Sequence, residues 1–249
     1  MKENKIHIDI NADLGEGSGH DEAIMPLISS CSIACGGHFG NEASMHYAVG
    51  LAKKFNVAVG AHPSFPDTDN FGRKCLTMTK SELTEAVFQQ LLRFYAVCEI
   101  EEVAVHHIKL HGALYNYAAI DAPTADAVVE GIVAAKLRPK LYVPFNSILA
   151  KKAENLLPLC YEAFIDRRYN NDLSLVARSE ENAVIKSPET AWQQLYTMVV
   201  RHEVQTIQKN TQTIEASTFC IHGDHANSVE ILKYIRIQMK KQSIGLINE

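Results

Sequence analysis

Seven short β-rich runs recur along this chain, and each ends in a polar or glycine-bearing turn. They occupy residues 6–11, 31–35, 57–61, 105–110, 140–143, 161–165 and 218–221. Helical patterns lie between most of them. Strands that alternate with helices favour a largely parallel sheet. If that sheet closes into a barrel, every strand end faces one rim, the place where barrel folds build their sites. The expected fold class is therefore α/β.

The helical readings rest on spacing and end signals. Residues 42–55 carry Met45, Ala48, Val49, Ala52 and Phe55 on one face, with Asn41 placed to cap. Residues 81–97 follow Thr79, and Glu82 three positions on completes a capping-box spacing. Residues 188–209 begin with Ser187 as cap and Pro188 in the first turn, where a missing N–H is harmless. Residues 228–241 turn Leu232, Ile235 and Met239 inward. Residues 166–185 read as a loop and short hairpin over the rim. No Pro/Gly/Ser-rich linker or low-complexity tract interrupts the pattern, so residues 1–249 read as one domain, a common size for an α/β barrel.

The residues just after each strand are Asp13 and Glu16, then Gly36-Gly37-His38, then His62-Pro63-Ser64. Lys109-Leu110-His111-Gly112 ends the fourth strand, and Pro144-Phe145-Asn146 the fifth. Asp166-Arg167-Arg168 ends the sixth, and His222-Gly223-Asp224 the seventh. One rim would thus gather His38, His62, His111 and His222 with Asp13, Asp166, Asp224, Lys109 and Arg167. Each has a plainer reading as well: a loop hydrogen bond for a single His, a turn or helix cap for Asp13 or Asp224, and an ion pair with Asp13 or Glu16 for Arg167. Lys109 is the least easily explained away, because it sits in an apolar run and a lysine is almost never buried without a partner. His106 and His107 start the fourth strand and read as structural. His7, His20, His46 and His202 read as surface or core-edge residues.

Composition removes several function classes. With 24 Lys and Arg against 29 Asp and Glu the net charge is −5, without basic clusters, which argues against a dedicated nucleic-acid binder. The longest apolar run is five residues, 94–98, against ~20 for a membrane span. The opening MKENKIHIDI lacks the apolar core of a signal peptide, so a cytoplasmic protein is expected. Six cysteines without a CxxC pair then read as reduced, mostly buried thiols. The chain has no P-loop, no G-x-G-x-x-G after a strand, no G-x-S-x-G elbow and no H-E-x-x-H. What remains is acid–base chemistry by Asp and His with Lys and Arg holding an anion. A divalent metal stays open, with His38, His62 and His111 as its histidines.

The strand ends also form a longer signature. IDINADLGEG (8–17), SIACGGHFGN (32–41), VGAHPSFPD (59–67), FGRK (71–74), HHIKLHGALYN (106–116), EAFIDRRY (162–169), LVARSEENAVI (175–185) and CIHGDHANSVEIL (220–232) closely resemble the LamB/YcsF family. The resemblance implies an irregular seven-stranded β/α barrel of the glycoside hydrolase/deacetylase type. The family's characterised bacterial members are A subunits of ATP-dependent 5-oxoprolinase, so the resemblance implies ring opening of 5-oxoproline to glutamate. ATP is then a co-substrate, Mg accompanies it, and two further subunits, B and C, are partners.

On that reading Asp13, His62, Lys109, His111 and Asp224 are the catalytic candidates. Glu16, His38, Asn116, Asp166, Arg167 and His222 are the substrate-binding ones. Two rival readings stand beside it: a metal-dependent deacetylase or sugar-active hydrolase on the same barrel, and a non-catalytic subunit that only binds a ligand.

Overall fold

The computed structural model describes residues 6–249; residues 1–5, on which part of the reading of the chain's start rests, lie outside the described residues. Strand β1 (Ile6–Leu14) pairs in parallel with β2 (Ser30–Ala34), and β3 (Ala58–His62), β4 (Val105–Lys109), β5 (Lys140–Pro144) and β6 (Leu159–Phe164) follow in order. A small antiparallel hairpin, β7 (Glu203–Gln205) and β8 (Thr211–Thr213), comes next. Strand β9 (Thr218–His222) then pairs with both β6 and β1 and closes a seven-stranded parallel cylinder. A last strand, β10 (Ile244–Leu246), extends the early part of β1 from outside.

The period-2 geometry of a strand sorts the side chains. On β1, Ile8, Ile10, Ala12 and Leu14 join the hydrophobic core, while Asp9, Asn11 and Asp13 point into the cylinder. Each fully buried Ile or Leu of the core stabilises the fold by roughly 1.5–3 kcal/mol. The interior is polar, and hydrogen bonds cross the barrel from strand to strand. Asp9 accepts from Ser29, Ser30, Tyr142 and Thr218 at the closed end. Above it, His107 stacks on Tyr142 and approaches Ser32 at 3.1 Å. Gly60 leaves room for that ring, since a Cβ there would lie 2.2 Å from His107 Nε2.

The helices are α1 (Asp21–Ile24), α2 (Glu42–Phe55), α3 (Lys80–Ile100), α4 (Gly112–Ala118), α5 (Ala122–Ala134), α6 (Ile148–Ala153), α7 (Pro188–Arg201) and α8 (Ser228–Lys241). Asn41, Thr79 and Ser187 cap α2, α3 and α7 as their spacing predicts. The expected helix 188–209 is shorter than its pattern. It stops at Arg201 because His202 turns left-handed (φ 54°), and the chain then forms the β7–β8 hairpin with Val204 buried. Residues 166–185 form a loop tied by isolated bridges, Arg167 to Val184 and Tyr169 to Leu175. All six cysteines are free; Cys75 is exposed. No helix among the described residues is long and apolar enough to cross a membrane.

Candidate functional site

The C-terminal end of β3 and the turns after β1, β2 and β4 bring Glu16, His38, His62 and His111 together, all buried. Glu16 Oε1 lies 2.9 Å from His38 Nε2, 3.3 Å from His111 Nδ1 and 3.7 Å from His62 Nε2. One donor atom from each of the four lies within 4.8 Å of the others, an arrangement able to hold a metal ion. Two glycines make the closeness possible. Gly72 (φ 61°) backs onto the histidines, where a Cβ would lie 2.8 Å from His38 Cβ. Gly112 (φ 55°) packs against the Gly72 carbonyl, where a Cβ would lie 2.7 Å away. Both positions need the left-handed backbone that glycine adopts without strain.

Backbone carbonyls orient two of the rings. His62 Nδ1 donates to the Lys109 carbonyl (2.8 Å), and His111 Nε2 donates to the Phe71 carbonyl (3.0 Å). The His38 and His111 rings stack, with centroids 3.6 Å apart. Burial pulls His62 down to about 3 and outweighs the Asp13 carboxylate beside it. Burial by itself would push Glu16 up, but the His111 and His38 rings beside it hold it well below the carboxylate range.

Deeper in the barrel, Lys109 Nζ is ringed by Asp13 Oδ1 at 2.8 Å, Glu162 Oε1 at 2.9 Å, Cys220 Sγ at 2.9 Å and Asn11 Oδ1 at 3.2 Å. Burial works against its charge, yet Asp13, Cys220 and Glu162 raise its affinity for the proton well above normal. Asp13 also lies 3.5 Å from His62 Nε2. Burial raises it, and His62 and Lys109 more than offset that, so it stays ionised.

A cavity of about 280 Å³ opens beside these groups. Asp13, Lys109, His111, Arg167 and His222 line it, and Asn116 stands at its edge with its amide donating to the Gly112 carbonyl. Asp166 accepts from both the backbone N–H and Nδ1 of His222, which orients that ring against Phe164. Burial first, then His222, sets Asp166, with a net displacement far below the usual range.

Two sequence expectations need correction. Arg167 makes no ion pair with Asp13 or Glu16. It is buried, its Nη2 donates to the Val176 carbonyl (2.6 Å), and its Nε has no partner among the described residues. Burial, and secondarily Arg178, bring its proton affinity down to about 10. Asp224 lies apart from the carboxylate–histidine cluster. It pairs with Arg73 and Arg178, both of which line the mouth of the cavity, and it caps no helix, because Asn227 begins α8.

Glu162 and Asn11 are interior residues that the reading of strand ends passed over. Their signal was the polar side chain inside an otherwise apolar strand, the same signal that marked Lys109.

The chain resembles known proteins along nearly its whole length. It is 38% identical over 240 residues to the 5-oxoprolinase A subunit of two Haemophilus influenzae strains, PittEE and 86-028NP, covering 96% of this chain and 98% of each relative. Among solved structures, a lactam utilization protein from Thermus thermophilus superposes with a TM-score of 0.90 at 34% identity, over 97% of this chain and 99% of that one. The LamB/YcsF family model matches residues 8–248, and the protein belongs to that family.

Proposed function

We propose that this chain is the A subunit of an ATP-dependent 5-oxoprolinase and that its barrel mouth binds the lactam. The observation that carries the reading is the cavity itself: a buried guanidinium with no carboxylate partner among the described residues, Arg167, shares a small chamber with an ionised carboxylate, Asp13. Such a chamber suits a small molecule with an anionic end and a carbonyl to be attacked. 5-Oxoproline has both, and the relatives' names point to it.

A five-membered lactam is held by amide resonance, and its amine is a poor leaving group. Transfer of the terminal phosphoryl group of ATP to the carbonyl oxygen makes the ring carbon electrophilic. Water then adds to that carbon, the C–N bond breaks and the nitrogen takes up a proton, which leaves an acyl phosphate; a second water attacks the acyl carbon, and phosphate leaves with the former carbonyl oxygen. The products are glutamate, ADP and phosphate. In this scheme Arg167 holds the substrate carboxylate by charge-assisted bonds. Lys109 fixes Asp13 in its ionised form, and Asp13 takes the proton from water. His222, oriented by Asp166, supplies the proton to the leaving nitrogen. Two partner subunits complete the enzyme.

The test combines the purified chain with its two partner subunits, 5-oxoproline and ATP, and follows glutamate and ADP together. Coupled release that requires all three proteins supports the reading. Absence of coupled release from folded, assembled subunits, or full release without this chain, overturns it.

A further inference from the structure

With both rings neutral, the two ring nitrogens that face each other in the cluster are bare. His62 Nδ1 and His111 Nε2 each lie against a backbone carbonyl, which can only accept, so each of those nitrogens bears the hydrogen of a neutral ring. The remaining nitrogens, His62 Nε2 and His111 Nδ1, therefore present lone pairs to one another across 3.0 Å. Both also face Glu16 Oε1, a third electron-pair donor, at 3.7 and 3.3 Å. Three donors without a hydrogen between them call for a cation.

The surrounding charge makes the same demand. Lys109 pairs with Asp13 and Glu162, and among the described residues Glu16 faces only histidines in its ion pairs.

We propose that Glu16, His38, His62 and His111 bind one divalent transition-metal ion. Three imidazoles and a carboxylate are the donor set of zinc, cobalt, manganese or ferrous iron rather than of magnesium or calcium. Metal–ligand bonds of about 2.1 Å place the donors of a tetrahedral shell about 3.4 Å apart. Four of the six donor separations, 2.9, 3.0, 3.3 and 3.7 Å, bracket that value, and all six lie within 4.8 Å.

The outer contacts of two of the three histidines are those of a metal centre as well. A ligating histidine usually donates its second ring N–H to a carbonyl or carboxylate, which fixes the tautomer and sharpens the ligand. The Lys109 and Phe71 carbonyls do this for His62 and His111. His111 and Asp13 both line the cavity, so the ion borders the chamber assigned to the lactam. There it would supply a positive charge for a carbonyl or phosphoryl oxygen.

Metal binding is tested on the chain alone, without substrate or ATP, so its outcome is separate from that of the lactam reading. The protein is stripped with chelator, titrated with Co(II) and with Zn(II), and followed by metal analysis, visible absorption and thermal unfolding. The expected result is about one ion per chain with a raised unfolding temperature. Glu16→Gln and His111→Gln should each weaken binding at least about tenfold. Failure of the wild-type chain to retain either ion would overturn the proposal and leave a shared proton between His62 and His111. Binding through thiolate, seen as a sulfur-to-cobalt charge-transfer band, or unchanged binding in both folded variants, would overturn it equally.

Discussion

The ammonium of Lys109 lies 2.8 Å from Oδ1 of Asp13, and both side chains are buried within the barrel. This pair joins the fold's interior to its rim, since Lys109 also holds Glu162 below while Asp13 faces His62 above. Its removal has consequences for stability as well as for chemistry. Lys109→Met leaves two buried carboxylates without their cation, which costs about 3–5 kcal/mol. Urea unfolding at neutral pH should register that loss. The double variant Lys109→Met/Glu162→Gln should recover part of it, because one of the two stranded charges is gone.

Arg167 carries the anion in this account. Arg167→Gln should leave the fold intact and raise KM for 5-oxoproline at least tenfold, the loss of a charge-assisted contact of about 1.5–3 kcal/mol. Steady-state kinetics of the assembled enzyme check it. An unchanged KM would move the substrate carboxylate elsewhere.

Asp224 belongs to the mouth of the cavity, with Arg73 and Arg178. Asp224→Asn should therefore act mainly on KM, with kcat reduced less than about tenfold, well short of the 10²–10⁴ loss typical of a general base. A kcat loss as large as that of an Asp13 variant would restore Asp224 to the chemistry.

The closed end of the barrel sets an acid limit on stability. Burial, then the neighbouring His106 and Lys109, hold the His107 imidazole well below its ordinary 6.5. The folded chain thus resists a proton that the unfolded chain accepts. Stability is full above about pH 6.5 and declines as pH falls below it toward the lowered folded value. His107→Gln should flatten that decline between about pH 6.5 and 4.5, a window above most carboxylate titration. Chemical unfolding at a series of pH values measures it.

Much of the architecture was legible because strand and helix signals were local. Caps at Asn41, Thr79 and Ser187, and the β-rich runs between them, depend on neighbours in sequence. The convergence of His38, His62 and His111 followed from topology, since parallel strands end on one rim. The interior was harder to read. Asp9, Asn11 and Glu162 alternate with apolar residues, a pattern that ordinarily marks a solvent-facing side, and only barrel closure turns it inward. The fate of Asp224 was also hidden, because Arg73 and Arg178 reach it from two loops distant in sequence. The helix expected over 188–209 ends at Arg201, since nothing in its apolar spacing announces the left-handed turn at His202.

Asp13 is the group on which the chemical account rests, and Asp13→Asn in the complete enzyme tests it most directly. Glutamate and ADP release are followed at saturating 5-oxoproline and ATP, with folding verified by circular dichroism. The expected result is a fall in kcat of at least about a hundredfold with the three-subunit assembly preserved. An assembled, folded Asp13→Asn enzyme that turns over at the wild-type rate would contradict the account.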